Sequence, residues 1–548
     1  MGICMAGATL AMTSCNDFLD LTPRDSVSNK MIWSNSDDAQ YAVNYLYHFL
    51  YDDDNSSNGQ SVAGMTEALT DQMKYGSYNY NAMCFIPSEM SYGGTTITAN
   101  YITAYLGTWS DDYTRIRRIN ENLSNLHEFG GSLSNATRLE AEMRFMRAFI
   151  YFDLIKRYKD VILYDANLND IKKDKNVSPE SECWDFVEND LNFAAENLPA
   201  KADAEGRIDK GAAYAFLTRA MLYAKRYDKV VAAFNKVKEL GYDLEVNYAD
   251  SYSKTIAAGN KEAILQYTFD NTTGHSFDTY YTPGGDFKLI SKNGGGYGTP
   301  TQEMVESYEL KTGGYPDWSA WHTTEGTTAT PPYDQLEPRF QATVLYNGAE
   351  WKGRHIESYV DGTDGWCQWG EKSPEGRSTT GYYLRKLVDE NHDLATVSVS
   401  TQPLTVIRYA EVLLNYAEAC YFTGDAQNAN AAVKAIRTRV GLPSSDQTGD
   451  ELFKTIRHER KIELAYEGQW YWDLRRWGLA SKSYAEGGLS GYQQHGLKIT
   501  LEPNGDFKYV YVSVDDKDRS FPEKLYRLPM PQAELDNNGA VTQYPEWK

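Results

Sequence analysis

The sequence predicts an all-α fold, a helical scaffold carrying a large irregular region rich in aromatic side chains. Three observations lead there. Apolar residues recur three and four apart in several long stretches, alanines fall where helices would cross, and between the second and third stretches this periodicity gives way to Gly, Pro, Thr and rings.

The chain opens on a short apolar stretch closed by small residues and a cysteine, Leu10-Ala11-Met12-Thr13-Ser14-Cys15, followed by Asn16-Asp17-Phe18-Leu19-Asp20. The apolar run is about half of what a membrane-spanning helix needs. Residues 1–14 therefore read as a removable bacterial lipoprotein signal, with Cys15 the lipidated first residue of the mature chain. No Lys or Arg stands in Met1-Gly2-Ile3, so the true start of the signal is expected further upstream.

From Asp71 to Trp109 the chain carries Tyr75, Tyr78, Tyr80, Tyr92, Tyr101 and Tyr105 without helical spacing, the composition of a loop. Thr137 to Tyr158 restores the helical period through Glu140-Ala141-Glu142-Met143-Arg144-Phe145-Met146-Arg147-Ala148-Phe149-Ile150-Tyr151-Phe152. Gly211 to Leu240 reads as two helices broken at Arg226-Tyr227-Asp228, and Leu404 to Arg439 as two broken at Thr423-Gly424-Asp425. The pairs resemble each other, Ala220-Met221-Leu222-Tyr223-Ala224 against Ala417-Glu418-Ala419-Cys420-Tyr421. A helix, a tight turn and a second helix with alanine at the crossing is the tetratricopeptide pattern. Because the pairs lie far apart in sequence, they are expected to fold back on one another rather than to form a continuous solenoid.

Between them, from about 270 to 400, turn residues and rings dominate: Gly294-Gly295-Gly296-Tyr297-Gly298, Gly313-Gly314-Tyr315-Pro316-Asp317-Trp318 and Asp364-Gly365-Trp366-Cys367-Gln368-Trp369. Long loops on a rigid scaffold are where binding usually resides.

Composition narrows the function classes. The chain has 548 residues, 41% of them hydrophobic, and a formal net charge of −22. That balance argues against nucleic acid, which is bound through clustered Lys and Arg. The aromatic content is the outlier, with 42 Tyr and 12 Trp. Such rings bury a flat apolar face while keeping a polar tip wet, which suits sugar rings and protein contacts alike, and core packing uses them too. Of six cysteines, Cys4 and Cys15 belong to the signal region; Cys84, Cys183, Cys367 and Cys420 lack CxxC spacing and read as buried single thiols.

Near the C-terminus stands Arg457-His458-Glu459-Arg460-Lys461-Ile462-Glu463-Leu464-Ala465-Tyr466-Glu467-Gly468-Gln469-Trp470-Tyr471-Trp472-Asp473-Leu474-Arg475-Arg476-Trp477-Gly478. This resembles the signature of the SusD/RagB family of outer-membrane lipoproteins from Bacteroidetes. Further agreement lies in Cys15 to Asp20, the Glu140 to Phe152 helix, Arg408 to Ala419, Arg437 to Pro443, and the tail Arg527-Leu528-Pro529-Met530-Pro531-Gln532 ending Gln543-Tyr544-Pro545-Glu546-Trp547. By itself the signature reads as ion pairs three and four apart on a helix with a buried face, and Asp473 with Arg475 as partners holding a turn.

The resemblance implies a single SusD-like domain over 15–548, with repeat helices within about 137–240 and 404–478. It implies non-catalytic binding of oligosaccharide or polysaccharide at the cell surface and delivery to a SusC-like TonB-dependent transporter in the outer membrane, to which the chain is held by lipid. Family sites are shallow and built from ring platforms in the non-repeat loops. The matching regions here are 71–109 and 270–400, and the candidate glycan contacts are Tyr75, Tyr78, Tyr80, Tyr297, Trp318, Trp321, Trp366 and Trp369, with Asp71 and Lys74 as polar helpers. The four tryptophans lie in segments of little apolar periodicity and are expected to be exposed. Trp109, Trp351 and Trp470 are expected to be structural.

No HExxH, GxSxG, P-loop or zinc-spaced set is present, and Thr299 stands where a GxGxxG run beginning at Gly294 needs its last glycine. No catalytic residue, cofactor or metal is expected, and Asp52-Asp53-Asp54-Asn55 lacks EF-hand spacing. Two alternatives stay open: a surface glycoside hydrolase with a carboxylate pair that only space would reveal, and a SusD-like binder of peptide or glycoprotein cargo.

Overall fold

The computed structural model describes residues 29–52, 66–75, 106–168, 174–371, 375–397 and 399–548. Helices dominate. With elements numbered in chain order, the principal ones are α1 (Ser36–Leu46), α2 (Trp109–Phe129), α3 (Ala136–Tyr158), α4 (Glu180–Asn197), α5 (Lys210–Tyr223), α6 (Tyr227–Glu239), α7 (Tyr409–Phe422), α8 (Ala426–Arg439), α9 (Gly449–Glu463) and α10 (Trp470–Arg476).

The expected helix pairs are present, and the caps say why they begin where they do. Asp209 accepts from the Ala212 amide at the start of α5, and Asp425 from the Asn428 amide at the start of α8. The two tight turns need backbone of positive φ, supplied by Lys225 between α5 and α6 and by Gly424 between α7 and α8. α5 buries Ala212, Ala213, Ala215 and Ala220, the small residues that let neighbouring helices approach. α3 is buried on almost every side, from Leu139 to Tyr158, and packs between α2 and α4.

The two repeat pairs adjoin in space more directly than a folded-back arrangement requires. α6 lies against α7, with Phe234 stacked on Tyr416 at 3.8 Å and Tyr227 on Phe422 at 4.5 Å. Arg219 of α5 forms a buried pair with Glu411 of α7 at 2.6 Å. The pairs thus fold back on one another as expected, and α2 to α9 form one layered stack, interrupted in sequence but continuous in contact.

The intervening region is held by small two-stranded sheets. β1 (Met73–Tyr75) pairs antiparallel with β3 (Gly298–Pro300), with Tyr75 opposite Gly298; β2 (Ala263–Tyr267) pairs with β4 (Leu404–Arg408). A longer ribbon, β5 (His495–Leu501) with β6 (Phe507–Ser513), closes through a turn at Gly505, whose φ is +91°. Leu497, Ile499 and Tyr509 turn one face of that ribbon to the core.

The charges of α9 from Glu459 to Glu463 pair with other elements rather than along the helix. Arg339, itself fully buried, binds Glu337 at 2.6 Å and Glu459 at 2.8 Å; Arg408 binds Glu262 and Glu463, each at 2.6 Å, and Glu467 at 2.7 Å. Arg437 joins Glu459 to Glu309, and Arg439 pairs with Glu463. Burial pushes the Glu463 carboxyl up, but Arg439, Arg408 and Arg339 outweigh it and hold it well below the usual carboxylate range. The Asp473 to Arg475 pairing expected from sequence is also corrected. Asp473 bonds Arg460 at 2.8 Å and Arg476 at 2.7 Å, whereas Arg475 donates to the Leu525 carbonyl and lies over the Trp472 ring.

Candidate functional site

The loop beginning at Asp71 leaves the fold through β1, beside the Gly294 to Gly298 run that precedes β3. Those glycines are structural. A Cβ on Gly295 would lie 2.3 Å from the Thr282 carbonyl and one on Gly296 2.0 Å from that of Gly376, so backbone crosses backbone here. The crossing ties Tyr297 to the loop that carries Trp366 and Trp369.

Trp366 and Trp369 are half-buried, and each has an ammonium over its ring. Lys498 of β5 stands 4.8 Å from the Trp366 centroid. Lys74 of β1 stands 3.7 Å from that of Trp369 while its Nζ bonds Asp515 at 2.6 Å. Positive charge over a ring face is attracted to its quadrupole and fixes the ring's orientation. Tyr297 is half-buried too, with Tyr280 tilted against it at 4.8 Å. Trp369 thus packs on the root of the Asp71 loop through Lys74, and Trp366 on the β5–β6 ribbon through Lys498.

Other expected contacts sit deeper. Tyr75 is fully buried in the core and offers no face to a ligand. Asp71 and Lys74 are buried and engaged, Asp71 with Lys461 at 2.7 Å and Lys74 with Asp515, so they anchor the loop root instead of reaching a sugar. Trp318 and Trp321, expected to be exposed, are 6% and 9% exposed. Their rings meet edge to face at 5.5 Å, and Trp321 Nε1 donates to the Ala329 carbonyl at 2.9 Å. The reason is the β5–β6 ribbon, which captures this segment: the Tyr511 amide donates to the Thr323 carbonyl, and Thr327 bridges Tyr509. Tyr78, Tyr80 and Cys15 lie outside the described residues, as do Cys84 and the Asp53 to Asn55 segment. Cys183 and Cys420 are buried free thiols and Cys367 is buried; Trp109 and Trp351 are core residues and Trp470 is half-buried.

The ribbon supplies partners that sequence reasoning missed. Besides Lys498 they are Tyr511, stacked on His495 at 4.3 Å and 4.7 Å from the His322 ring, with His322 on Glu306 and His495 on Glu303, each at 2.6 Å. The signal was present in the alternating His495 to Leu501 and Phe507 to Ser513 around Asn504-Gly505, a strong short-range mark of a hairpin. Among the described residues no group of three or more His, Cys, Asp or Glu is arranged to hold a metal, and no helix is long and apolar enough to cross a membrane.

A helical-repeat stack presenting aromatic loops at one set of small sheets defines the class of protein. The chain belongs to the SusD family: the family's model matches residues 261–547, and a second model, described as starch-binding and associating with the outer membrane, matches 17–222. A SusD-like protein of Bacteroides ovatus is 24% identical over 500 residues, 86% of this chain and 81% of that one. Among solved structures, a SusD-like protein of Bacteroides fragilis superposes with a TM-score of 0.77 at 27% identity, over 96% of this chain and 99% of that one. A SusD-like carbohydrate binding protein of the same organism gives 0.75 at 25% identity, over 93% and 100%.

Proposed function

We propose that this protein captures oligosaccharide or polysaccharide at the cell surface, without catalysis, and hands it to a SusC-like TonB-dependent transporter. The observation that carries the reading is the likeness, over 93% of the chain, to a crystal structure described as a SusD-like carbohydrate binding protein. The described loops supply matching chemistry. Trp366, Trp369 and Tyr297 are half-buried rings on which a pyranose can stack, and Lys498 is placed beside them to hydrogen-bond hydroxyls. Tyr78 and Tyr80, outside the described residues, are proposed as further glycan contacts on the strength of the sequence alone.

The lipid on Cys15 would hold the protein at the outer membrane, since two or more acyl chains give stable anchoring where one does not. Affinity electrophoresis of the full chain in mild detergent against a polysaccharide panel tests the reading, with a reducing-end assay on the same samples. Retardation by a polysaccharide without release of reducing ends is the expected result. Release of reducing ends would turn the assignment to a hydrolase, and retardation by none would turn it to peptide or glycoprotein cargo.

A further inference from the structure

At the root of the Asp71 loop, a cavity of about 340 Å³ opens between α9, α10 and the turn after Tyr484, lined by Asp71, Lys454, Arg457, Lys461, Trp470 and Tyr484. Its size falls in the range of small-molecule sites, on the order of 300–1,000 Å³. Three cations line it, a local reversal in a chain of net charge −22.

The three differ in how far they are committed. Lys461 is satisfied, its Nζ 2.7 Å from Asp71 and 2.8 Å from the Ser307 hydroxyl. Asp71 also accepts from Trp470 Nε1 at 3.1 Å and from the Tyr484 hydroxyl at 3.2 Å, so the carboxylate on the floor is charge-paired and both of its oxygens are engaged. Lys454 pairs with Glu451 at 2.7 Å, but both side chains are mostly exposed, at 60% and 67%, and such pairs exchange easily. Arg457 forms no ion pair among the described residues. Phe453 lies against its guanidinium at 5.1 Å, and its Nε is buried without an acceptor. A part-buried guanidinium with no counter-ion calls for an explanation, and an anion meeting its terminal nitrogens in the cavity would give one.

We propose that this cavity is a subsite for an acidic sugar unit, a pyranose bearing a carboxylate or sulfate, whose ring lies against Trp470 and whose acid group pairs with Arg457 and Lys454. Arginine's planar fork matches such oxyanions bidentately, and Trp470 supplies the apolar face. The proposal rests on the glycan-binding reading above and deepens it by naming a class of glycan.

Calorimetric titration of the full chain in mild detergent with trigalacturonate, a sulfated carrageenan disaccharide, neutral galactotriose and sodium sulfate tests it, beside Arg457→Gln and Arg457→Lys. An acidic sugar should bind more tightly than galactotriose, weaken as salt is raised, and lose about tenfold or more in Arg457→Gln, with partial rescue in Arg457→Lys. Thermal melts of the variants separate lost binding from lost fold. Equal affinity of an acidic sugar for wild type and Arg457→Gln would overturn the proposal, as would sodium sulfate binding as tightly as the sugar acids, which would mark an anion site with no role for the ring. Neutral glycans binding while every acidic one fails would overturn the subsite and leave the glycan reading standing; failure of all glycans, here and across the polysaccharide panel, would remove both.

Discussion

Replacing Trp318 and Trp369 in parallel separates ring as core from ring as platform. Trp318 is 6% exposed and packs edge to face on Trp321, so Trp318→Ala removes a buried indole, a change that costs about 3–5 kcal/mol in other cores. One term works the other way. Trp318 Nε1 is buried with no acceptor, and removing an unsatisfied donor recovers about 1–3 kcal/mol. At the middle of these ranges the net loss is about 2 kcal/mol. Trp318→Phe, which keeps most of the ring and deletes the orphaned N–H, should cost less than Trp318→Ala. Trp369→Ala, at a half-buried position, forfeits chiefly the contact with Lys74 at 3.7 Å, worth about 0.5–2 kcal/mol. Its larger effect should be on affinity, about 1–3 kcal/mol by analogy with other stacking platforms. Urea unfolding measures the first quantity, and calorimetry with a polysaccharide found by the panel measures the second. Wild-type stability in Trp318→Ala, or wild-type affinity in both Trp369→Ala and Trp366→Ala, would refute the assignment of these rings.

Other perturbations probe separate parts of the molecule. Glu463→Gln leaves Arg408, Arg439 and Arg339 each short of a buried counter-charge and should cost about 3–5 kcal/mol in urea unfolding, whereas Glu451→Gln on the exposed Lys454 pair should cost under about 1 kcal/mol. Burial raises the Glu67 carboxyl from its ordinary 4.5 to about 8. Folded protein then holds this proton more tightly than unfolded, so Glu67 contributes stability below pH 4.5 that is lost as pH rises through 8. Glu67→Gln cannot titrate, and its stability relative to wild type should rise between those values and level off above pH 8; a pH-independent difference in unfolding free energy would reject the assignment. Cys15→Ala should release the protein from the outer membrane or block its maturation, read by antibody labelling of intact cells. At endogenous expression in mild detergent the wild type should co-purify with a large β-barrel protein, and recovery only as a free lipoprotein would count against delivery to a transporter.

The repeat helices were legible because their signal is local: an alanine at each crossing, an Asp cap, and a positive-φ turn at Gly424 all lie within a few residues of one another. The signature from Arg457 to Gly478 was legible as a pattern but not as a geometry. Helical spacing puts Glu459 beside Glu463 and offers neighbours on the same helix, whereas the actual partners, Arg339, Arg408 and Arg437, arrive from segments that no local rule connects to α9. The same holds for the candidate site. Turn composition identified the Trp318 and Trp366 segments as loops, yet a loop can be buried by an element elsewhere in the chain. Here the β5–β6 ribbon covers Trp318 and Trp321 and leaves Trp366 and Trp369 half-open. Period-two alternation around Asn504-Gly505 carried that information, and it is overlooked when a chain is searched mainly for the helical period.

The contact between α6 and α7 sets an order on how the chain can mature. Val230, Phe234 and Val237 give α6 an apolar face that α7 helps to cover, and α7 does not begin until Tyr409. A nascent chain that ends anywhere between the two helices carries that face bare, together with Arg219 lacking Glu411. α6 lies in neither of the stretches matched by the two family models, 17–222 and 261–547, and Arg219 in the first finds Glu411 only in the second. The amino-terminal helices must wait, incompletely packed, while the whole ring-bearing region is made. The stack stays unfinished through that interval.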